Sequence, residues 1–485
     1  LGFLRRAFDV QPSRSGEGFT FTTRSPISHD DPRMSITRRI RLTCAGAVAM
    51  LLVAQPLFAQ SVLRDAETEK FMSDISEGLA KSAGLQPGAL KLYLVGDNSI
   101  NAFVAEGQVI YINSGTIESA DNYNELQGVI AHELGHIEGG DAVRTGDAAS
   151  SAMKISLLSL LLGAAAVAAG APEAGMAAMM AGQTAAEGKF LAYSRQQEGS
   201  ADASAVRHLN DAHVTGRGMV SFFTKLKREE YRLTPSYTKI DTYEVDHPMS
   251  EDREQVLRDA FSRSPWWDQP LDPELQARFL RIKGKLVGYT DDPPYVLRKY
   301  PATDMSAPAL YARAYAYHRG GYPDQANLEI NQLLARSPHD PYLLELKGQI
   351  LVESGHPRDA IPALREAVAN SGNTPLIGSL LGHALVATED PALLPEATRV
   401  LKVAVQRDYE NPDAWYELGL SYTRMGDEPR ASLASAERFS LENKPQMALA
   451  SAEAAMHGIP PGTPDYLRAQ DIALTARDES KKKRH

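Results

Sequence analysis

Two imidazoles and a carboxylate stand together at His132-Glu133-Leu134-Gly135-His136. The interval between the histidines puts both rings on one face of a helix, where they can hold one zinc ion per chain. Glu133 falls beside that face, not between the rings and the metal. A carboxylate so placed can take a proton from zinc-bound water and pass it to a leaving amine, while the ion lowers the pKa of the water and polarises the scissile carbonyl. Catalytic zinc takes three protein groups and leaves one position open, so a third ligand is required. One solution places a histidine at position 142, which is Ala142 here, and that pattern is rejected. The other takes a glutamate from a second helix, and Glu198 in the polar stretch YSRQQEGSAD qualifies. Asp202, one turn further on the same face, can accept a proton from the outer nitrogen of a zinc-bound histidine and so fix its tautomer.

These groups need packed elements to hold them. Leu126, Val129, Ile130 and Ile137 give the motif an apolar flank; Asn122 or Asn124 can cap its helix, and Gly139-Gly140 stops it. Upstream, Phe71, Ile75 and Leu79 predict a helix between Arg64 and Ala83 that ends at Gly84, and the β-branched stretches Leu90–Val95 and Ala102–Asn113 predict short strands. An extended substrate could pair with the strand at Val109–Asn113. The apolar run Ile155–Gly170 falls short of the roughly 18 to 20 residues that cross a bilayer, so it is read as a buried or lid helix, leaving no transmembrane span in the mature chain. A loop of small residues and methionines is expected over Ala171–Gly188, then a polar helix from Lys189 to Leu209. Pro265, Pro270 and Pro273 around Trp266-Trp267 place the end of this first domain near Ser262.

Beyond Ala307 the chain repeats. Ala314, Tyr317, Gly321, Ala326, Ile330 and Leu333 recur as Gly348, Leu351, Gly355, Ala360, Leu364 and Ala367, the 34-residue period of tetratricopeptide helix pairs. Gly382, Leu385, Ala397, Leu401 and Ala404 form a third unit with an insertion near Glu389–Pro391. Trp415, Leu418, Gly419, Tyr422, Gly426 and Ala431 form a fourth. The expected organisation is an upstream extension over 1–33, a signal peptide over 34–59, a metallopeptidase domain over 60–262, a helical linker over 263–306, repeats over 307–440, capping helices over 441–478 and a basic tail over 479–485. The signal peptide rests on Arg38, Arg39 and Arg41, an apolar stretch from Leu42 to Val53, and Leu57-Phe58-Ala59 as the cleavage site, which predicts export to the periplasm. Cys44, the single cysteine, lies inside it. A net charge of -10 argues against a nucleic-acid partner, whose binding would need a basic face. The repeats are expected to contact chiefly one another, leaving the first domain independent of them.

HELGH, the preceding NAFVAEGQVIYINSGTI, the YSRQQEGSAD helix and His247-Pro248 with Arg253 resemble the HExxH zinc metallopeptidases grouped with the prenyl-protein protease. The signal peptide and repeats resemble the periplasmic branch concerned with outer-membrane β-barrel assembly. The resemblance implies an α+β fold: a mostly helical, gluzincin-type domain with a small β-sheet, followed by an α-solenoid of tetratricopeptide repeats. It implies His132, His136 and Glu198 as zinc ligands, Glu133 as acid and base, and Asp202 as a support behind the ligands. His247 and Arg253 match the family's His-Pro...Arg element, in which the histidine approaches either the metal or the oxyanion. Implied partners are unfolded or stalled outer-membrane proteins and, through the repeats, the β-barrel assembly machinery. A chaperone or scaffold with a latent metal site is the alternative. Many relatives carry histidine where this chain has Asp141.

Overall fold

The computed structural model describes residues 62–105, 107–168, 171–233, 247 and 251–482. The expected signal peptide, Cys44, Pro248 and the end of the basic tail lie outside them. The first part is a small sheet against helices: β1 (Val62–Leu63), α1 (Ala66–Ser82), β2 (Lys91–Val95), β3 (Ala102–Val104), β4 (Val109–Asn113), α2 (Ser114–Ser119), α3 (Tyr123–Gly139), α4 (Asp141–Ala168), α5 (Pro172–Asp211), α6 (Arg217–Leu233) and α7 (Glu251–Phe261). Asp65 caps α1 by accepting from the Thr68 amide, and Phe71, Met72, Ile75 and Leu79 form its buried face. The sheet runs β1-β2-β4-β3, with β2 and β4 parallel and the two outer pairs antiparallel. Alternation along β4 sends Ile110 and Ile112 into the core and stacks Tyr111 against Phe103 on the other face. β4 is therefore an interior strand already paired on both sides, and an added chain has to use β3 at the margin. Sequence reading takes β4 for the docking strand because a strand's place in its sheet is not written in its own residues.

Two expectations fail between Asp141 and Asp211. The stretch expected as a loop over Ala171–Gly188 belongs, from Pro172 on, to α5, a single 40-residue helix. Its Ala, Met, Gln and Glu residues are strong helix formers, and small size alone is no turn signal. As far as Ala168 the apolar run lies in α4, and its leucines are not buried: Leu157, Leu158, Leu160, Leu161 and Leu162 are each more than half exposed. By length and composition alone, Ser150–Val167 is long and apolar enough to cross a membrane.

Next come α8 (Pro273–Thr290) and α9 (Pro293–Lys299), then five antiparallel helix pairs: α10 (Ala307–Arg319) with α11 (Pro323–Arg336), α12 (Pro341–Glu353) with α13 (Pro357–Asn370), α14 (Pro375–Ala387) with α15 (Leu394–Arg407), α16 (Pro412–Arg424) with α17 (Glu428–Leu441), and α18 (Pro445–Gly458) with α19 (Pro464–Lys482). The pairs stack as an α-solenoid of tetratricopeptide type, and the insertion near Glu389 forms a 3-10 turn at Pro391–Leu393. Gly348 and Gly382 let paired helices close up, since a Cβ there would strike Leu364 or Leu401 at 2.4 or 2.3 Å.

The array does not stand apart from the sheet domain. One continuous apolar core joins Phe71, Ile75 and Phe279 to Leu310, Tyr315, Leu343 and Ile350. Lys285, fully buried, reaches Asp65 at 2.5 Å and Glu67 at 3.3 Å. Tyr311 and Arg281 also bond Glu67, and Arg281 continues to Asp340 at 2.6 Å. Further along, Asp408 meets Arg64 at 2.9 Å and Glu410 meets Lys91 at 3.1 Å, so the loop after α15 returns to the sheet. The expected independence fails because a period detected in the repeats reports contacts among repeats and is silent about what else their faces cover.

Candidate metal centre

α3 is buried on nearly every side from Tyr123 to His136. Asn122 caps it by accepting from the Glu125 amide at 3.1 Å, and Gly140 ends it in the left-handed region at φ 63°. Two glycines let neighbouring helices approach at backbone distance. A Cβ on Gly128 would lie 2.6 Å from the Met219 Cα in α6, and one on Gly135 would lie 2.7 Å from the Ala201 backbone in α5. The second contact brings Glu198, three residues before Ala201, against the two histidines.

The resulting cluster is His132, His136, Glu198 and His247, all buried, with one donor atom from each within 4.8 Å of every other. His132 Nε2 is 3.2 Å from His136 Nε2, 3.4 Å from His247 Nδ1 and 3.3 Å from Glu198 Oε2. Glu198 Oε1 is 3.4 Å from His136 Nε2 and 3.2 Å from His247 Nδ1. Ligands about 2.0 to 2.1 Å from one tetrahedral zinc stand roughly 3.3 Å from each other, so this donor set fits that ion in both chemistry and spacing. Glu133 is fully buried beside it, its oxygens without hydrogen-bond partners among the described residues. Its Oε1 lies 3.6 Å from His247 Nε2.

Behind the donors is a set of carboxylates. Asp202 Oδ1 lies 3.0 Å from His132 Nδ1. Arg253 grips Asp202 through two bonds of 2.7 and 2.9 Å and also reaches Glu198 Oε2 at 2.9 Å, tying α7 to α5. Asp141, the first residue of α4, stands 2.8 Å from His136 Nδ1, and Gln197 donates to its other oxygen at 2.7 Å. In the sequence Asp141 stands out only as a departure from relatives. Its signal was the Gly139-Gly140 stop, because a left-handed turn there returns the next side chain toward the last helical turn. Nothing in the spacing marked Gln197.

The electrostatics favour positive charge at this point. Burial opposes charge on both histidines, yet Asp202 and Glu198 outweigh it at His132, while Asp141 and Glu198 hold His136 at about 10. Burial also opposes the charge of Glu198, but the three imidazoles hold it far below the usual carboxylate range. Asp202 is lowered too, against burial, by His132 and Arg253.

Such a convergence on two packed helices defines a metallopeptidase domain of the HExxH plus glutamate type, joined to a tetratricopeptide-like array. The profile of Peptidase family M48 matches residues 66–260, so that segment is an M48 peptidase domain. Among curated proteins, the chain is 22% identical over 405 residues to the "Beta-barrel assembly-enhancing protease" of Yersinia pestis, covering 82% of this chain and 81% of that protein. It is 28% identical over 199 residues to "Metalloprotease LoiP" of Escherichia coli (strain K12), covering 41% of this chain and 72% of the relative. The solved structure "Crystal structure of YrrB: a TPR protein with an unusual peptide-binding site" is 19% identical, with a TM-score of 0.30, over 36% of this chain and 92% of that one.

Proposed function

We propose that the protein is a zinc endopeptidase of the periplasm that cleaves unfolded or stalled outer-membrane β-barrel polypeptides, with the helical array recruiting clients or the assembly machinery. The observation that carries the catalytic part is the convergence of His132, His136, Glu198 and His247 beside a buried Glu133 whose oxygens make no hydrogen bond among the described residues. The client class is supported by the name of the Yersinia pestis relative, a β-barrel assembly-enhancing protease whose match spans domain and array alike, and the compartment by the basic start and apolar stretch over 34–59.

When bound, zinc would supply a Lewis acid for the scissile carbonyl and an acidified water. His132, His136 and Glu198 would hold it. Asp202 and Asp141 keep the outer ring nitrogens of the two histidines engaged and their rings fixed in orientation. Arg253 positions Glu198 and Asp202 together. Glu133, whose oxygens make no hydrogen bond among the described residues, can accept a proton from water and return it to the leaving nitrogen. The outer edge of β3 offers backbone groups to an extended chain, a mode that selects unfolded clients. His247 obstructs both: its Nδ1 joins the donor cluster and its Nε2 lies 3.2 Å from the Ala102 carbonyl on that edge. We assign it as a cap that must withdraw before substrate binds.

The test is metal analysis with cleavage of an unfolded outer-membrane protein. Wild type should bind one zinc and cleave, and Glu133→Gln should keep the zinc and lose turnover. Zinc-loaded wild type with no cleavage would favour the scaffold reading.

A further inference from the structure

The metal centre makes use of only the base of the α4–α5 hairpin. From Ile155 to Ala168 in α4, and from Ala174 to Ala186 in α5, there is no charged residue. Each stretch is about 20 Å long at 1.5 Å per residue. Their large side chains face outward: Leu157, Leu158, Leu160, Leu161 and Leu162 on one arm, Met176 and Met180 on the other, between 56% and 70% exposed. Adjacent leucines exposed in succession leave α4 apolar all round, a pattern for burial in hydrocarbon, not for one covered face. The arms meet through small residues. A Cβ on Gly163 would lie 2.6 Å from the Gly175 carbonyl, and one on Gly182 would strike Ser159. Such seams join helices where leucine gains nothing by leaving its surroundings, as in lipid.

Charge reappears at the base with one sign in excess. Arg144, Lys154, Lys189 and Arg195 are all exposed there, against Asp147 and Glu187 in the same stretches of a chain whose net charge is -10. Phe190, partly exposed, lies at the same level.

We propose that the distal half of the α4–α5 hairpin is a finger that inserts into one leaflet of an anionic bilayer. Its uncharged length, which stops at Lys154 and Glu187 and so excludes the base of the longer window Ser150–Val167, exceeds the roughly 15 Å depth of one hydrocarbon leaflet and falls short of the roughly 30 Å of two, so it enters without crossing. The collar of lysines and arginines meets anionic headgroups, and Phe190 sits at the interface. Glu173, exposed near the tip, is the one acidic group that must be carried in; the N-terminal end of α5 favours its charge, and in hydrocarbon a carboxyl takes up a proton. α4 begins at Asp141, which touches His136, and α5 bears Glu198, about 12 Å along the helix from Phe190. Insertion therefore holds the metal centre just above the headgroups.

Flotation with vesicles tests this without reading proteolysis, so it stands or falls apart from the peptidase assignment. Wild type should float with vesicles of four parts phosphatidylcholine to one part phosphatidylglycerol, and less with phosphatidylcholine alone. The combined change Leu158→Asp, Leu161→Asp and Leu162→Asp should lower the floated fraction at least about tenfold with zinc retained, and Glu173→Gln should raise it. Should the triple variant not fold, Leu161→Trp supplies an independent reading: its emission should shift to the blue and be quenched by brominated acyl chains. Wild type that floats with neither vesicle, or a Leu161→Trp emission untouched by brominated lipid, overturns the proposal. So does a dimer in solution that the triple variant abolishes, since the finger would then be an interface between copies.

Discussion

Asp141 and Asp202 stand behind different histidines in different company, and that difference is measurable. Asp202 is shared by His132 and by both bonds of Arg253, whereas Asp141 is held by Gln197. Asn at either site keeps the volume and loses the charge. Both changes should weaken zinc by about 10- to 100-fold, and Asp202→Asn by more, because it also releases the arginine that positions Glu198. Chelator competition reads this, and equal affinity for wild type and Asp141→Asn would show that His136 needs no carboxylate. His247 divides two mechanisms. As a cap it shares Glu198 Oε1 with the donor set and covers the Ala102 carbonyl, so His247→Ala should raise basal cleavage of an unfolded polypeptide. As an oxyanion donor its loss should instead lower kcat by about 100-fold with zinc still bound, and that outcome would reverse the assignment. HELGH was legible because metal chemistry dictates residue type and spacing together. Asp141 was not, since a lone aspartate after a glycine pair has many uses.

Among the elements, the periodic ones were legible and the relations between them were not. Phe71, Ile75 and Leu79 marked α1, and the recurrence of Ala314 as Gly348 marked the paired helices, because each period is a local property of the chain. The interior place of β4, the union of the supposed loop with α5, and the exposure of α4 depend on partners far away in sequence. Gly135 shows how such a partner leaves its trace within a motif. Between Leu134 and His136 it carries no ligand, yet its missing Cβ is the space into which the Ala201 backbone fits. Gly135→Ala has to push α5 from α3, and Glu198 moves with it. The expected result is a loss of about 1 to 3 kcal/mol in stability together with weaker zinc binding. Urea unfolding of the zinc-free and zinc-loaded forms separates the two effects. An unchanged zinc contribution would mean that α5 carries Glu198 by another route.

For the whole molecule, the decisive contacts join the sheet domain to the array. Lys285 lies between Asp65, Glu67 and Tyr311, fully buried, and replacing part of such a group leaves charge without compensation. Burial alone would raise the pKa of Asp65, but Lys285 reverses it and holds the carboxyl below its ordinary value of 3.8. The folded protein therefore keeps Asp65 ionised at a pH where the unfolded chain binds a proton. That preference contributes stability that is present above about pH 4 and is lost as pH falls below it. Asp65→Asn should accordingly be less stable than wild type by about 2 to 3 kcal/mol at pH 7, and the gap should narrow through that window as the wild type takes up its proton. Urea midpoints for both proteins, followed from pH 7 to pH 2, measure the gap directly. A constant difference across the range would assign the cost to lost packing and the Thr68 cap instead of to the ion pair. A narrowing one would show that the joint between peptidase and array is electrostatic at its centre, so that acid loosens the arm from the domain it serves.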